Sequence, residues 1–473
     1  MPVLLPDLVY NGGAFRRGLG IEIEAATGRI GRVGDARELE RAARERGDVV
    51  ETLPGRALVP GFVNAHSHAF QRLIRGRTQW RSAAEPQADF WSWREAMYGA
   101  ALALSPEDVY HASRFCFLEM LRAGFTSVGE FHYLHRDPAG EAYADPNELA
   151  LRVIAAAEDV GIRIVLLKTC YAAGGIGRPL EPQQRRFATP DLDAFLAETE
   201  QLAQRYADHS SGHPLVTVGV APHSVRAVPR GWLAPLRRWA AERGAPFHIH
   251  VAEQPAEVEA CRAAYGLRPV ELLAEEGVVD DGLTAIHATH LAADEIALLG
   301  DAGATVCACP TTERDLGDGF LPGAELLGAG AHVALGTDSH TVIDPFEEMR
   351  LVEYHERLRR LRRVVLAVPG KDGRLEVAPL LFELATESGA RALRIDAGRL
   401  APGALADIVA IDLEHPALAG WTDDSLASLL ALCAPASVVS DVWVGGVRRI
   451  EQRRHVLDDD AAATFRRVAE RLG

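Results

Sequence analysis

A chain of 473 residues is too long for one ordinary domain and long enough to bury a large core without covalent staples. With 48% hydrophobic and 25% charged residues it has the balance of a globular protein, and a formal charge of −16 argues against a nucleic-acid partner, which rewards a basic surface. No stretch approaches a membrane span, and the opening MPVLLPDLVYNGG lacks the basic and apolar regions of a signal peptide, so a cytoplasmic setting is expected.

In chain order, residues 1–58 read as short strands and turns. Leu8-Val9-Tyr10 running into Asn11-Gly12-Gly13 marks a strand and its turn, and residues 19–24 alternate before Thr27-Gly28 turns the chain back. Short apolar runs then follow at 58–63, 127–131, 163–167, 216–221, 247–251, 284–286, 305–308 and 333–336. Helical stretches lie between them, among them 106–123, 146–160, 192–206, 231–243 and 294–299. Eight strands alternating with helices predict a (β/α)8 TIM barrel over residues 59–398. A doubly wound sheet is the alternative, but no glycine-rich phosphate loop opens any helix. Strand texture returns at 407–412 and 440–445, so residues 1–58 and 399–473 are expected to form one small β-sandwich domain built from both termini. The cysteines (Cys116, Cys170, Cys261, Cys307, Cys309 and Cys433) form no C-x-x-C pair and read as free buried thiols.

In such a barrel the chemistry sits where strands end. The polar residues at those ends are His66-Ser67-His68, Glu130, His132 and Tyr133, His223-Ser224, His248, His250 and Glu253, His287 and His290, and Asp338. Residues i and i+2 of a strand face one side, so His66 and His68 project together, and two imidazoles so placed can bind one metal ion. An H-x-H pair alone is a weak signal; its place after an apolar strand and Pro60-Gly61 strengthens it. His250 and Asp338 add a third nitrogen and a carboxylate, which gives a mixed site with room for water, as catalytic zinc requires. His248 lies deeper in its strand and is expected below the metal, while His132, His290 and His340 read as structural.

Residues 59–68 (VPGFVNAHSH), with His250, His287 and Asp338, resemble the amidohydrolase superfamily, and the resemblance spans nearly the whole chain. Strand four ends without a lysine, in GVAPHS at 219–224, which resembles the mononuclear deaminase branch. Residues 68–72 (HAFQR), 90–98 (FWSWREAMY), 129–133 (GEFHY), 287–290 (HATH), 310–313 (PTTE) and 316–319 (LGDG) are similar to the formimidoylglutamate deiminase family. Two stretches depart from that pattern, residues 75–87 and Glu313-Arg314-Asp315. The resemblance implies a step of histidine degradation: hydrolytic deamination of N-formimidoyl-L-glutamate to N-formyl-L-glutamate and ammonia. It implies one Zn²⁺, or another first-row divalent ion, on His66, His68, His250 and Asp338. His287 or Asp338 would act as base, and Glu253 would carry the proton to the leaving nitrogen.

The implied substrate has two carboxylates, and arginine is the residue whose planar fork matches them. By resemblance, Gln71, Arg94 and Tyr133 hold one end, with Arg94 expected in a loop after strand one, and His223 and Arg226 hold the other. Each has an ordinary reading beside this: an arginine stacked on tryptophans, a core histidine, a solvated glutamate. The rivals are a purine or pyrimidine deaminase with the same metal ligands and, from another class, a metal-free binding scaffold. A homodimer is the expected assembly.

Overall fold

The structure, a computed structural model, describes residues 1–80, 90–207, 215–370 and 373–472. The chain opens with β1 (Val3–Asn11), β2 (Ala14–Arg17), β3 (Leu19–Glu24), β4 (Arg29–Asp35) and β5 (Val50–Pro60). Residues 1–58 hold more than strands and turns, because Ala36–Arg46 is a helix. Asp35 accepts hydrogen bonds from the N–H groups of Arg37 and Glu38, and Gly47 ends the helix in the left-handed region at φ 72°. Leu39 and Ala43, one turn apart, bury against Val3.

Eight strands follow: β6 (Phe62–Ser67), β7 (Phe125–His132), β8 (Arg163–Cys170), β9 (Val216–Pro222), β10 (Phe247–Val251), β11 (Leu283–His287), β12 (Thr305–Ala308) and β13 (His332–Leu335). They lie side by side in chain order, and every paired neighbour is parallel. The ring closes through the first and last strand ends. His68 N–H donates to the Asp338 carbonyl at 3.1 Å, and Asp338 N–H donates to the His66 carbonyl at 3.0 Å. With helices between successive strands, this is the expected (β/α)8 barrel. At the closing seam a Cβ on Gly336 would lie 2.8 Å from the Cβ of His66, so the approach of the two strand ends requires glycine there.

After a two-stranded ribbon of β14 (Val368–Pro369) and β15 (Leu375–Glu376), the chain returns to the first sheet with β16 (Ile408–Asp412), β17 (Val439–Val444) and β18 (Val447–Ile450). That sheet runs β18-β17-β16-β5-β1-β3-β4, with β2 on β1, so both chain ends build it. Alternation gives it two apolar faces. Val59, Val409 and Val442 join the barrel's core, while Leu58, Ile408, Ala410 and Trp443 enclose a small core of the sheet's own. The helix Asp458–Arg471 leaves the sheet and packs on the barrel helix Pro106–Ala123, where Phe465 stacks on Phe115 at 4.3 Å.

Two further expectations change. Arg94 is not in a loop but in the helix Phe90–Ala103, because Phe90, Met97, Tyr98 and Ala101 recur at helical spacing and bury one face. Cys433 is exposed at the end of the helix Leu426–Cys433, unlike the other five cysteines, which are buried. Part of the departing stretch 75–87, residues 81–87, lies outside the described residues. No helix among the described residues is long and apolar enough to cross a membrane.

Candidate active site and metal centre

The expected ligands converge at the barrel mouth. His66 Nε2 lies 3.1 Å from His250 Nε2 and 3.3 Å from Asp338 Oδ1, and His68 Nε2 lies 3.3 Å from the same oxygen. Four ligands at Zn–N distances of 2.0–2.1 Å in a tetrahedron stand about 3.3 Å apart, so this donor set fits a single divalent ion. The rings are held for that use. His68 Nδ1 is bonded to the Phe131 carbonyl at 2.9 Å and His250 Nδ1 to the His223 carbonyl at 2.9 Å, which leaves each Nε2 facing the centre. Burial pushes His66, His68 and His250 below the usual imidazole range, the neutral form a metal needs.

A polar ladder beneath the ligands locks their two strand ends together. Asn64 donates to Thr337 Oγ1 at 2.7 Å and accepts from the Thr337 N–H at 3.0 Å. His340 bridges Thr337 Oγ1 at 2.8 Å and Ser67 Oγ at 3.0 Å, and Ser67 also donates to Glu130. Glu130 in turn accepts the Ala69 N–H at 2.8 Å, and burial raises its carboxyl to about 8. His340 is therefore structural, as expected. So are His248, bonded to the Ala392 carbonyl at 2.8 Å, and His290, bonded to the Asp318 carbonyl at 2.7 Å. His132 is buried, and burial lowers it to about 3.

Beside the ligands stand His287 and Glu253. His287 Nε2 is 3.7 Å from Glu253 Oε1 and 3.9 Å from Asp338 Oδ2. Burial would lower His287, but Glu253, Glu313 and Asp338 around it reverse the effect and hold it well above the usual range. Glu253 is 5% exposed, so it is not the solvated loop charge of the ordinary reading, and burial raises its carboxyl. His287 at φ 67° and Asp338 at φ 45° occupy the left-handed region, which costs about 1–3 kcal/mol per non-glycine residue. Strain of this kind concentrates where side chains must be aimed.

A cavity of about 680 Å³ opens over this group, and all five expected substrate contacts, Gln71, Arg94, Tyr133, His223 and Arg226, line it. Gln71 donates to the Tyr133 hydroxyl at 2.7 Å, and His223 is held low by burial and by Arg226. The two arginines differ. Arg226 is flanked by Glu253 and Glu257, each at 3.2 Å. Arg94 lies over the Trp91 ring at 4.4 Å, and among the described residues it makes no ion pair and its buried Nε has no acceptor. Sequence reasoning missed Glu257, Glu313 and the trio Tyr98, Tyr171 and Gln184, in which Gln184 donates to both phenols at 3.0 and 3.1 Å. Tyr171 follows a barrel strand directly, a signal that was available; the others lie on helices or loops that only the fold brings here.

Comparison with known proteins places this geometry. Residues 57–449 match the Amidohydrolase family. The chain is 38% identical over 426 residues, 90% of its own length and 91% of the relative's, to formimidoylglutamate deiminase of Pseudomonas aeruginosa. It is 31% identical, over 99% of its length and 95% of the relative's, to 5-methylthioadenosine/S-adenosylhomocysteine deaminase of Natronomonas pharaonis. Among solved structures, an amidohydrolase from Brucella melitensis superposes with a TM-score of 0.86 at 35% identity, covering the whole of both chains. The chain thus belongs to the amidohydrolase family, as a hydrolase of carbon–nitrogen bonds with a deaminase's architecture.

Proposed function

We propose that this enzyme deaminates N-formimidoyl-L-glutamate by hydrolysis, giving N-formyl-L-glutamate and ammonia. The observation that carries the reading is one cavity with a metal-ligand cluster at its floor and, of the three arginines in its walls (Arg94, the exposed Arg178 and Arg226), two that stand deep beside it, Arg94 and Arg226. A linear substrate with a formimidoyl group at one end and two carboxylates matches that polarity. The likeness to the Pseudomonas aeruginosa deiminase supports the same substrate.

A single Zn²⁺ on His66, His68, His250 and Asp338 would supply the Lewis acidity that makes water a nucleophile near neutral pH. The chain's own groups do the rest. Attack of water forms a C–O bond at the amidine carbon, while the C=N electron pair moves to nitrogen. His287 Nε2, beside Asp338, steadies the attacking oxygen. Glu253 carries the two protons of the water, one after the other, to that nitrogen, so that as the oxygen's electron pair closes the formyl C=O bond the C–N bond breaks and ammonia rather than an amide ion leaves. Arg94, with a guanidinium edge unpaired among the described residues, takes one carboxylate, with Gln71 and Tyr133 fixing that end. Arg226, beside His223, takes the other and exchanges part of its pairing with Glu253 and Glu257 for the substrate.

The test is ammonia release by the zinc-loaded enzyme from N-formimidoyl-L-glutamate and from a panel of purines, pyrimidines and nucleosides. Turnover of the first alone is expected. Turnover of a base with none of the first would replace this reading with the nucleobase one, for which the aromatic wall of Trp91, Tyr98 and Tyr171 would be the stacking surface.

A further inference from the structure

Behind His287, outside the cavity lining, lies a carboxylate that the mechanism has not used. Glu313 sits in the first turn of the helix Pro310–Leu316 and is 1% exposed. Its Oε1 accepts the Cys309 N–H at 2.8 Å and lies 3.3 Å from His287 Nδ1. Its Oε2 is buried and has no hydrogen-bond partner among the described residues. An ionised carboxylate only accepts, so the contact with His287 requires the hydrogen to be on Nδ1. The other ring nitrogen then points at Glu253 and Asp338, at 3.7 and 3.9 Å.

We propose that Glu313 is a positioning residue for the reaction, acting through His287. The backbone alone does not set the ring: His287 is at φ 67° and the next residue, Ala288, at φ 51°, so the strand has already broken its regular course there. An imidazole at a strand end can turn or exchange its proton between nitrogens. A buried carboxylate behind Nδ1 removes both freedoms, in the way the aspartate of a serine-protease triad orients its histidine. The helix start that carries Glu313 also binds that carboxylate through the Cys309 N–H, so the carboxylate cannot swing away from the ring.

The inference rests on the proposed function for its kinetic readout, and an independent spectroscopic one separates the two. The experiment compares the metal-loaded wild type with E313Q and E313A, measuring kcat, KM and Tm with N-formimidoyl-L-glutamate. Ring-nitrogen NMR of ¹⁵N-histidine-labelled protein follows the tautomer, with the His287 signals assigned from H287N. E313Q keeps a carbonyl oxygen for the Cys309 N–H and loses the charge, so it separates orientation from folding. Its kcat is expected to fall roughly 10- to 100-fold, the usual cost of removing an orienting partner, with KM and Tm nearly unchanged. In E313A the His287 Nδ1 signal should leave the protonated position, while E313Q, whose carbonyl oxygen stands where Oε1 faces both the Cys309 N–H and Nδ1, loses only the charge. An unchanged kcat, or E313A ring signals that stay in place, would overturn the proposal. If the wild type releases no ammonia from this substrate, the functional reading fails, and the NMR signals alone decide the role of Glu313.

Discussion

The floor and the wall of the cavity are built by different means. On the floor, His66, His68, His250 and Asp338 stand at strand ends, and the backbone bonds that close the barrel run through His66, His68 and Asp338. Their positions are set by the sheet's own ladder, with Asn64, Thr337, His340 and Ser67 bracing it below. On the wall, Arg94 comes from the helix Phe90–Ala103, Arg226 from the turn after β9, and Tyr171 and Gln184 from the segment after β8. The lesson is a division of labour. In the proposed function the floor supplies the reaction, and the wall, which loops and helices can vary, selects the molecule that undergoes it.

Breaking the floor has the largest expected effect. H68N or D338N should lose the metal and reduce activity by more than about 10³-fold, while circular dichroism shows the fold intact. Retained metal by elemental analysis would show that the four ligands are not those named. E253Q should keep its metal and lower kcat about 10²- to 10⁴-fold, the range of general acid–base catalysis. An E253Q enzyme whose KM rises while kcat holds would make Glu253 a substrate contact instead.

The wall predicts a split between its arginines. R94M should raise KM about 10- to 100-fold, since a charge-assisted hydrogen bond contributes about 1.5–3 kcal/mol, and should leave stability unchanged. R226M should weaken binding similarly and also cost about 3–5 kcal/mol of stability, because it leaves Glu253 and Glu257 buried without their cation. Denaturant melts of the two variants check this; equal stability losses would contradict the pairing seen here.

The smallest effect is one of pH on stability. Burial holds His132 near 3 and His248 near 4, below the ordinary 6.5. As pH falls below 6.5 the unfolded chain takes up these protons before the folded one does. The stability tied to His248 is thus complete above that pH and is lost progressively down to about 4. Tm should drop over this window, and in H248N the drop should be smaller by roughly a few degrees. A pH dependence identical to wild type would show that His248 is not held neutral.

The same division governs what the sequence made legible. The floor could be read because strand period and strand-end position are local signals: His66 and His68 stand two apart, and His250 and His287 end apolar runs. Residues 91–94 of the helix Phe90–Ala103 look like a loop in the sequence because the helix's buried face shows only once there is a barrel to cover. The helix Ala36–Arg46, although Asp35 and Gly47 bracket it, is masked in the sequence by the strand texture on either side. Glu313 stands in the sequence both at the end of the matching PTTE stretch and at the start of a departing one, with nothing to tie it to His287, because that contact joins residues 26 positions apart. Contacts of that kind depend on how helices return over the barrel mouth, which no local spacing encodes.

One measurement tests the central claim that the wall selects what the floor reacts with. It is kcat/KM for N-formimidoyl-L-glutamate against N-formimidoylglycine, which keeps the reacting group and one carboxylate, in wild type, R94M and R226M. The account predicts a wild-type preference for the glutamate compound of roughly 10- to 100-fold, from one lost charge-assisted contact, that collapses in one of the two variants and not in the other. A wild type that treats the two alike, or a full preference kept in both variants, would contradict it.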